Sequence, residues 1–297
     1  MANLKEVRER IKSVISTQQI TKAMKMVSAA KLRRAQQAVT QLRPYANKQN
    51  AMLINILSNL DGGDGGTVYG QERNIERAAL VVVTSNRGLC GAFNTNVLKA
   101  AVAIINTKYE KAYNDGKLTI VCIGKRGYDF LRKRYTKAIF VKDYVEVFSD
   151  LSFDNIAPIS KVLMDGFAAK HYDSVTVAYG RFKNAGLQFA EAEQFLPVPK
   201  MEKPKGGSTK KADYIFEPDQ TSLLEYLVPS ILQVTFQKYL LDTHASEHGA
   251  RMTAMDKATE NADELLKALR INYNKARQEA ITKELSEIVG GAAALGS

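Results

Sequence analysis

The first 60 residues contain no glycine and a single proline, Pro44, and from Leu4 onward their apolar residues recur at alternating steps of three and four. The a/d positions run Leu4, Val7, Ile11, Val14, Gln18, Thr21, Lys25, Ser28, Leu32, Ala35, Val39, Leu42, Ala46, Gln49, Leu53, Ile56 and Leu60, and twelve of these 17 are apolar. This spacing predicts one helix of about 55 residues, about 80 Å long, with a bend expected at Pro44. Across the polar stretch from Gln18 to Ser28 a displaced stripe, Ile20, Ala23, Met24 and Val27, is expected to cover the seam. The far end repeats the pattern. Leu241, Ala245, His248, Met252, Met255, Thr259, Ala262, Leu266, Leu269, Tyr273, Ala276 and Ala280 keep the same steps, and the stripe then slips one place to Ile281, Leu285, Ile288, Ala292 and Leu295. Such a slip alters supercoil winding locally. The second helix is expected to start near Asp219, to accommodate Pro229 early, and to run for about 70 residues, roughly 100 Å.

Helices of this length take most of their stability from packing. The economical cover for each stripe is the other helix, in an antiparallel coiled coil whose longer C-terminal member projects beyond its partner. Two unrelated helices of a bundle form the weaker alternative, since globular helices rarely exceed about 25 residues. Charge favours the pair. Residues 1–60 hold 11 Lys/Arg against 2 Asp/Glu, residues 61–218 hold 23 against 18, and residues 219–297 hold 8 against 11, so the blocks carry +9, +5 and −3. A basic excess concentrated at one end points to an acidic partner: nucleic acid, anionic lipid or an acidic protein loop.

Between the helices the period changes. Ala78–Ser85, Leu118–Gly124 and Ser174–Tyr179 have the composition of buried strands, and Asn94–Tyr113, Tyr128–Arg134 and Ile156–Ala169 that of helices. Ala138–Val147 adds a possible edge strand. Such alternation implies a Rossmann-like α/β domain with a mostly parallel sheet. The expected organisation is an N-terminal coiled-coil helix (1–60), a globular α/β domain (61–218) and a C-terminal coiled-coil helix (219–297), with flexible joints at Asp61–Gly66 and Val198–Lys211. The 45% hydrophobic and 25% charged composition is that of a globular chain. The longest apolar run, Ala78–Val83, falls short of the ~18 residues of a membrane span. MANLKEVRER lacks the apolar core of a secretory signal. Two cysteines, Cys90 and Cys122, exclude a disulfide scaffold and fit a reduced, cytoplasmic setting.

Catalytic patterns are weak. His244, Glu247 and His248 match H-x-x-E-H, which would place two imidazoles on one helical face with a glutamate as base. His248 falls on the seam, however, and no third ligand is evident. The turn Asn86-Arg87-Gly88-Leu89-Cys90-Gly91 lies between a strand and a helix, where phosphates often bind, but neither G-x-x-x-x-G-K-[ST] nor G-x-G-x-x-G occurs. Lys125-Arg126-Gly127 has the same ambiguity. His171 stands alone. No catalytic, cofactor or metal site is expected. The basic first helix has no aromatic residue before Tyr45, so it lacks a stacking platform for nucleic acid, and Lys25, Arg33 and Arg34 suit an acidic protein partner better.

The ends are more specific. SVISTQQITKAMKMVSAAKLRRAQ (Ser13–Gln36), TSNRGLCGAFN (Thr84–Asn94), SEHGARMTAMDKATENADELL and NYNKARQEAITKELSEIVGGAAAL (between Ser246 and Leu295) closely resemble the gamma subunit of F-type ATP synthases. The resemblance covers the chain in order and is looser from about Gly116 to Tyr214. It implies a non-catalytic rotary stalk. The stalk would turn inside a ring of α and β subunits, rest on the epsilon subunit and the membrane c ring, and couple ion (proton) flow to ATP chemistry on β. It implies that Met24, Lys25, Lys31, Arg33 and Arg34 pass acidic loops of β, and that Arg251, Gln278 and Thr282 contact a catalytic-subunit loop. Tyr214 and Glu217 would approach the c ring, and Ala292–Leu295 the upper bearing. No cofactor, metal, nucleic acid or direct membrane insertion is implied. A peripheral place on the cytoplasmic face of a bacterial membrane is implied, without a cysteine-containing regulatory insert. The competing readings are a basic coiled-coil nucleic-acid-binding or scaffold protein, and an α/β enzyme with helical arms.

Overall fold

The continuous apolar runs AALVVV and LTIVCI are strands buried on both faces: every residue of β1 (Ala78–Val83) and β2 (Leu118–Ile123) is buried. The structure, a computed structural model, describes residues 4–59, 68–198 and 220–295. The remaining elements are α1 (Leu4–Asn59), α2 (Phe93–Thr107), α3 (Glu110–Asn114), α4 (Lys125–Arg134), β3 (Ile139–Val141), α5 (Phe153–Ala168), β4 (Ser174–Asn184), β5 (Leu187–Leu196) and α6 (Gln220–Leu295), with short 3-10 turns before β1 and α5. The joint at Asp61–Gly66 lies outside the described residues, as does that at Val198–Lys211 apart from Val198. Both terminal helices have their expected length, and α1 continues through Pro44.

The chain divides into two compact units, one formed by residues 1–28 and 252–297 and the other by residues 29–251. In the first, α1 and α6 run antiparallel. Lys25 Nζ meets Asp256 Oδ1 at 2.5 Å, the Thr21 and Thr259 hydroxyls are 2.8 Å apart, and the Gln18 amide donates to Asp263. Each step down one helix matches a step up the other. Val7, Thr21 and Ser28 are buried on α1, opposite a row of Met255, Ala262, Leu266 and Leu269 buried on α6.

The seam therefore keeps its three-four phase through the polar stretch, and the expected displaced stripe does not form. Ile20 and Val27 are 59% and 57% exposed. Rotating α1 to bury them would turn Val7 and Val14 outward and leave Asp256 and Asp263 without donors. The polar residues are tolerated because they bond one another across the seam. Past Ala280, α6 has no covering helix in this unit, and Ile281, Leu285, Ile288 and Val289 are exposed.

The second unit holds a sheet of order β3-β2-β1-β4-β5. The first four strands are parallel and β5 returns antiparallel to β4. Odd-numbered residues of β1 (Ala79, Val81, Val83) pack with α5 and with Val228, Ile231, Leu232 and Phe236 of α6. The even-numbered ones (Ala78, Leu80, Val82) pack with α2, α3 and Leu131 of α4. Glu193 fastens α6 to this sheet, accepting from the Tyr179 hydroxyl at 2.6 Å and the Tyr239 hydroxyl at 2.9 Å.

Several local expectations need correction. β4 extends to Asn184 and turns through Ala185 and Gly186 into β5, a strand that residue order does not predict. Most of β5 is only half-buried, so its composition carries little apolar signal, and the Asn-Ala-Gly turn is its one clear mark. The single helix expected over Asn94–Tyr113 breaks at Lys108-Tyr109, because Tyr109 is buried with its hydroxyl on Ser174 and Thr176. The edge strand shrinks to Ile139–Val141.

Candidate functional site

In a sheet of this order, ligands settle beyond the carboxyl ends of the strands where the winding reverses. Here that point lies between β1 and β4, next to the turn Asn86–Gly91. The chain fills it with its own α6. Ser246 Oγ donates to the Gly180 carbonyl at 3.0 Å, and the Gly180 N–H donates to Thr243 Oγ1 at 3.2 Å. The Phe93 ring lies so close that a Cβ on Gly180 would sit 2.5 Å from it. Arg251 donates to the carbonyls of Arg87 at 3.1 Å and Gly88 at 3.4 Å, and pairs with Glu247, both side chains being 9% exposed. The turn is also held from within, Asn94 Oδ1 accepting from the Ser85 N–H at 3.0 Å. The crevice thus serves as a joint between α6 and the sheet.

The H-x-x-E-H residues share this joint. His244 and His248 face each other with Nε2 atoms 3.0 Å apart, and the Phe148 ring stacks on His244 at 6.0 Å. Glu247 turns away to Arg251, and among the described residues no group of three or more His, Cys, Asp or Glu could hold a metal ion. Burial, helped by the charges of Lys31 and Arg251, lowers the His244 pKa to about 4. Burial, with His244, Arg251 and Lys31, lowers that of His248 to about 3. Unfolded histidines titrate at 6.5, so the pair's stabilisation is complete above that pH and is lost as the pH falls toward 4. Asp242 opposes this: burial raises its pKa from 3.8 to about 6, a cost present above pH 6 and relieved below it. Two histidines outweigh one carboxylate. Urea midpoints are therefore expected to fall between pH 6.5 and 4, and His244→Gln with His248→Gln to flatten that slope. An unchanged slope would show that the imidazoles are not desolvated.

The residues singled out by the resemblance distribute over both units. In the coiled-coil unit Met24 and Lys25 are half-buried, and Gln278 and Thr282, one helical turn apart, are exposed. In the α/β unit Lys31, Arg33 and Arg34 are exposed and, among the described residues, pair with no carboxylate. Arg251 is 8% exposed, its guanidinium engaged within the chain. Tyr214 and Glu217 lie outside the described residues, as do the side chains of Ala292–Leu295. Two exposed apolar surfaces lie beside the described residues of this set, the first expected to be buried as a displaced stripe and the second expected on the projecting end of the longer helix. Ile20, Met26 and Val27 flank Lys25, and Ile281, Leu285, Ile288 and Val289 line bare α6. The signal for the first set is their position off the three-four phase, which mimics a displaced seam.

Comparison with known proteins shows the family of the chain. The family model described as ATP synthase matches residues 3–295. The ATP synthase gamma chain of Cytophaga hutchinsonii is 52% identical over 297 residues, covering 99% of each chain, and that of Christiangramia forsetii 47% over 295 residues. Among solved structures, a chain of the Euglena gracilis mitochondrial ATP synthase shares the fold with TM-score 0.63 at 20% identity, over 98% of this chain and 94% of that one. A chain from the central stalk and c ring of the Tetrahymena thermophila enzyme has TM-score 0.58 at 22% identity, over 80% of this chain and 99% of its own. Matched end to end at this level of identity, the chain belongs to the ATP synthase gamma chain family.

Proposed function

We propose that the chain is the rotating central shaft of an F-type ATP synthase. It couples ion (proton) flow through the membrane sector to ATP synthesis by turning inside a ring of α and β subunits. The observation that carries this reading is the antiparallel pairing of α1 and α6 through Gln18, Thr21 and Lys25, in a chain that matches gamma chains over its whole length. The shaft itself is non-catalytic: the crevice where an α/β sheet holds ligands is filled by α6, and the ATP chemistry belongs to β. Residues 1–60 and 219–297 serve as the axle and residues 61–218 as its base on the epsilon subunit and the c ring, with Tyr214 and Glu217 assigned to that ring. No helix among the described residues is long and apolar enough to cross a membrane, which suits a peripheral subunit on the cytoplasmic face of a bacterial cell membrane.

An asymmetric shaft shifts the open-closed equilibrium of each catalytic site by the difference between the contacts it offers. A rotor held too firmly in one orientation would stall, so weak exposed contacts at Lys31, Arg33, Arg34, Gln278 and Thr282 fit the task, at about 0–1 kcal/mol each. Met24, Lys25 and the neighbouring Ile20 and Val27 add a mixed surface for a β loop.

The test is purification of the tagged chain from gently solubilised membranes. Recovery of α, β and epsilon in a fixed ratio with ATPase activity is expected. Recovery alone, or with nucleic acid, would favour the basic scaffold reading instead. In the assembled enzyme, Gln278→Ala with Thr282→Ala is expected to lower proton-driven ATP synthesis by up to about fivefold for each side chain removed, leaving the thermal melt unchanged. Normal synthesis in that variant would remove both residues from the coupling surface.

A further inference from the structure

The most basic stretch of the described α/β unit lies within the proposed base, and the shaft reading assigns none of its residues a contact. Between Lys125 and Lys142 the chain carries seven lysines and arginines against one carboxylate, Asp129. All seven are exposed. Elsewhere cations pair with carboxylates, half-exposed Arg181 with Glu191 at 2.7 Å and exposed Lys283 with Glu287 at 3.7 Å, but among the described residues none of these seven does; Arg132 and Arg134 lie instead over the rings of Tyr128 at 5.3 Å and Tyr135 at 5.9 Å. The helix that bears most of them is anchored on its other side, where Gly127, Leu131 and Tyr135 are buried against the sheet. Its outer stripe reads Arg126, Phe130, Lys133 and Arg134 at steps of four, three and one, with Phe130 43% exposed among the cations. Ile139, on edge strand β3, adds a second exposed apolar side chain at 56%.

We infer that this α4–β3 face binds the surface of an anionic lipid bilayer. A small anion is a poor fit, because the first N–H groups of α4 are already used: Lys125 donates to Asn86 at 3.0 Å, Arg126 to Ser85 at 3.2 Å and Gly127 to Thr84 at 2.8 Å. An acidic protein segment fits less well than a bilayer. The cations lie along the outer face of one helix and an adjoining sheet edge, and no carboxylate holds any of them in place. A fluid anionic surface adapts to such an array, while Phe130 and Ile139 enter the headgroup layer. The inference goes beyond the shaft reading and does not depend on it.

The experiment is flotation of the purified full chain with vesicles of phosphatidylcholine, with and without 30 mole per cent phosphatidylglycerol (about the anionic content of a bacterial membrane), at low and high salt. Binding is expected only to the anionic vesicles and is expected to weaken with salt. Replacing Arg132, Lys133 and Arg134 together by alanine is expected to lower vesicle affinity about a hundredfold. Lys161→Ala with Lys170→Ala, exposed lysines outside this face, is expected to bind like the unaltered chain. Far-ultraviolet circular dichroism checks that both variants fold. Absence of flotation, equal binding to neutral vesicles, equal binding by the triple variant, or retention of duplex DNA without vesicle binding would each overturn the proposal. Failure of the shaft reading appears separately, in the subunits that co-purify.

Discussion

Arg251→Ala is expected to destabilise the α/β unit by about 3–5 kcal/mol, because it leaves the buried Glu247 carboxylate without its cation. Both side chains are 9% exposed, so water does not replace the missing partner. The same change frees the carbonyls of Arg87 and Gly88, which the guanidinium holds in the turn after β1. Replacing both partners by apolar residues, Glu247→Leu with Arg251→Met, is expected to recover most of the loss, since two buried charges disappear together. Urea denaturation of the three chains checks this. A single variant as stable as the parent would show that Glu247 reaches solvent or another donor. The resemblance assigns Arg251 to a partner's loop, and in this chain any loss of coupling in Arg251→Ala would arrive mixed with a loss of stability. Gln278 and Thr282, both exposed, are cleaner tests of the coupling surface.

Gly124→Ala is expected to be at least as damaging, with a loss of about 4–5 kcal/mol or failure to accumulate folded chain. Gly124 ends β2 at a φ of +98°, and a Cβ there would lie 1.9 Å from the carbonyl oxygen of Thr84 and 2.6 Å from its carbon. Neither atom yields cheaply. Thr84 is fixed by its own N–H on Ile123 at 2.8 Å and by its hydroxyl accepting from Gly127 at 2.8 Å. The crossing of β1 and β2 into their following segments is therefore built around one missing side chain. A nearby control, Gly186→Ala, meets only Asn184 Oδ1 at 3.7 Å and is expected to change stability little. A urea midpoint for Gly124→Ala close to that of the parent would refute the account.

The two long helices are legible from residue order because a seam with three-four steps has one stable outcome in water, burial against a matching seam. The strands 78–83 and 118–123 are legible for the same reason: runs buried on both faces must be apolar at every position. Strand β5 is not, since its side chains are half-exposed and LQFAEAEQFL alternates too weakly to show its period. Nor is the register across Gln18 to Ser28. An apolar stripe one step aside looks like the better seam, and only the facing Asp256, Thr259 and Asp263 make the polar one preferable.

The candidate surfaces divide along the same line. Residue order alone determined the length and amphipathic character of α1 and α6, the basic first helix, the two-faced strands and the family to which the chain belongs. The family shows in the motifs at the two ends that resemble it; the rest follow from local spacing and composition, which act on each segment separately. Only the tertiary structure decided that Arg251 points inward to Glu247, that α6 fills the crevice between β1 and β4, and that Ile20 and Val27 stay in water. Each of these depends on which groups from distant parts of the chain meet, and a buried charge or hydroxyl goes where its partner is.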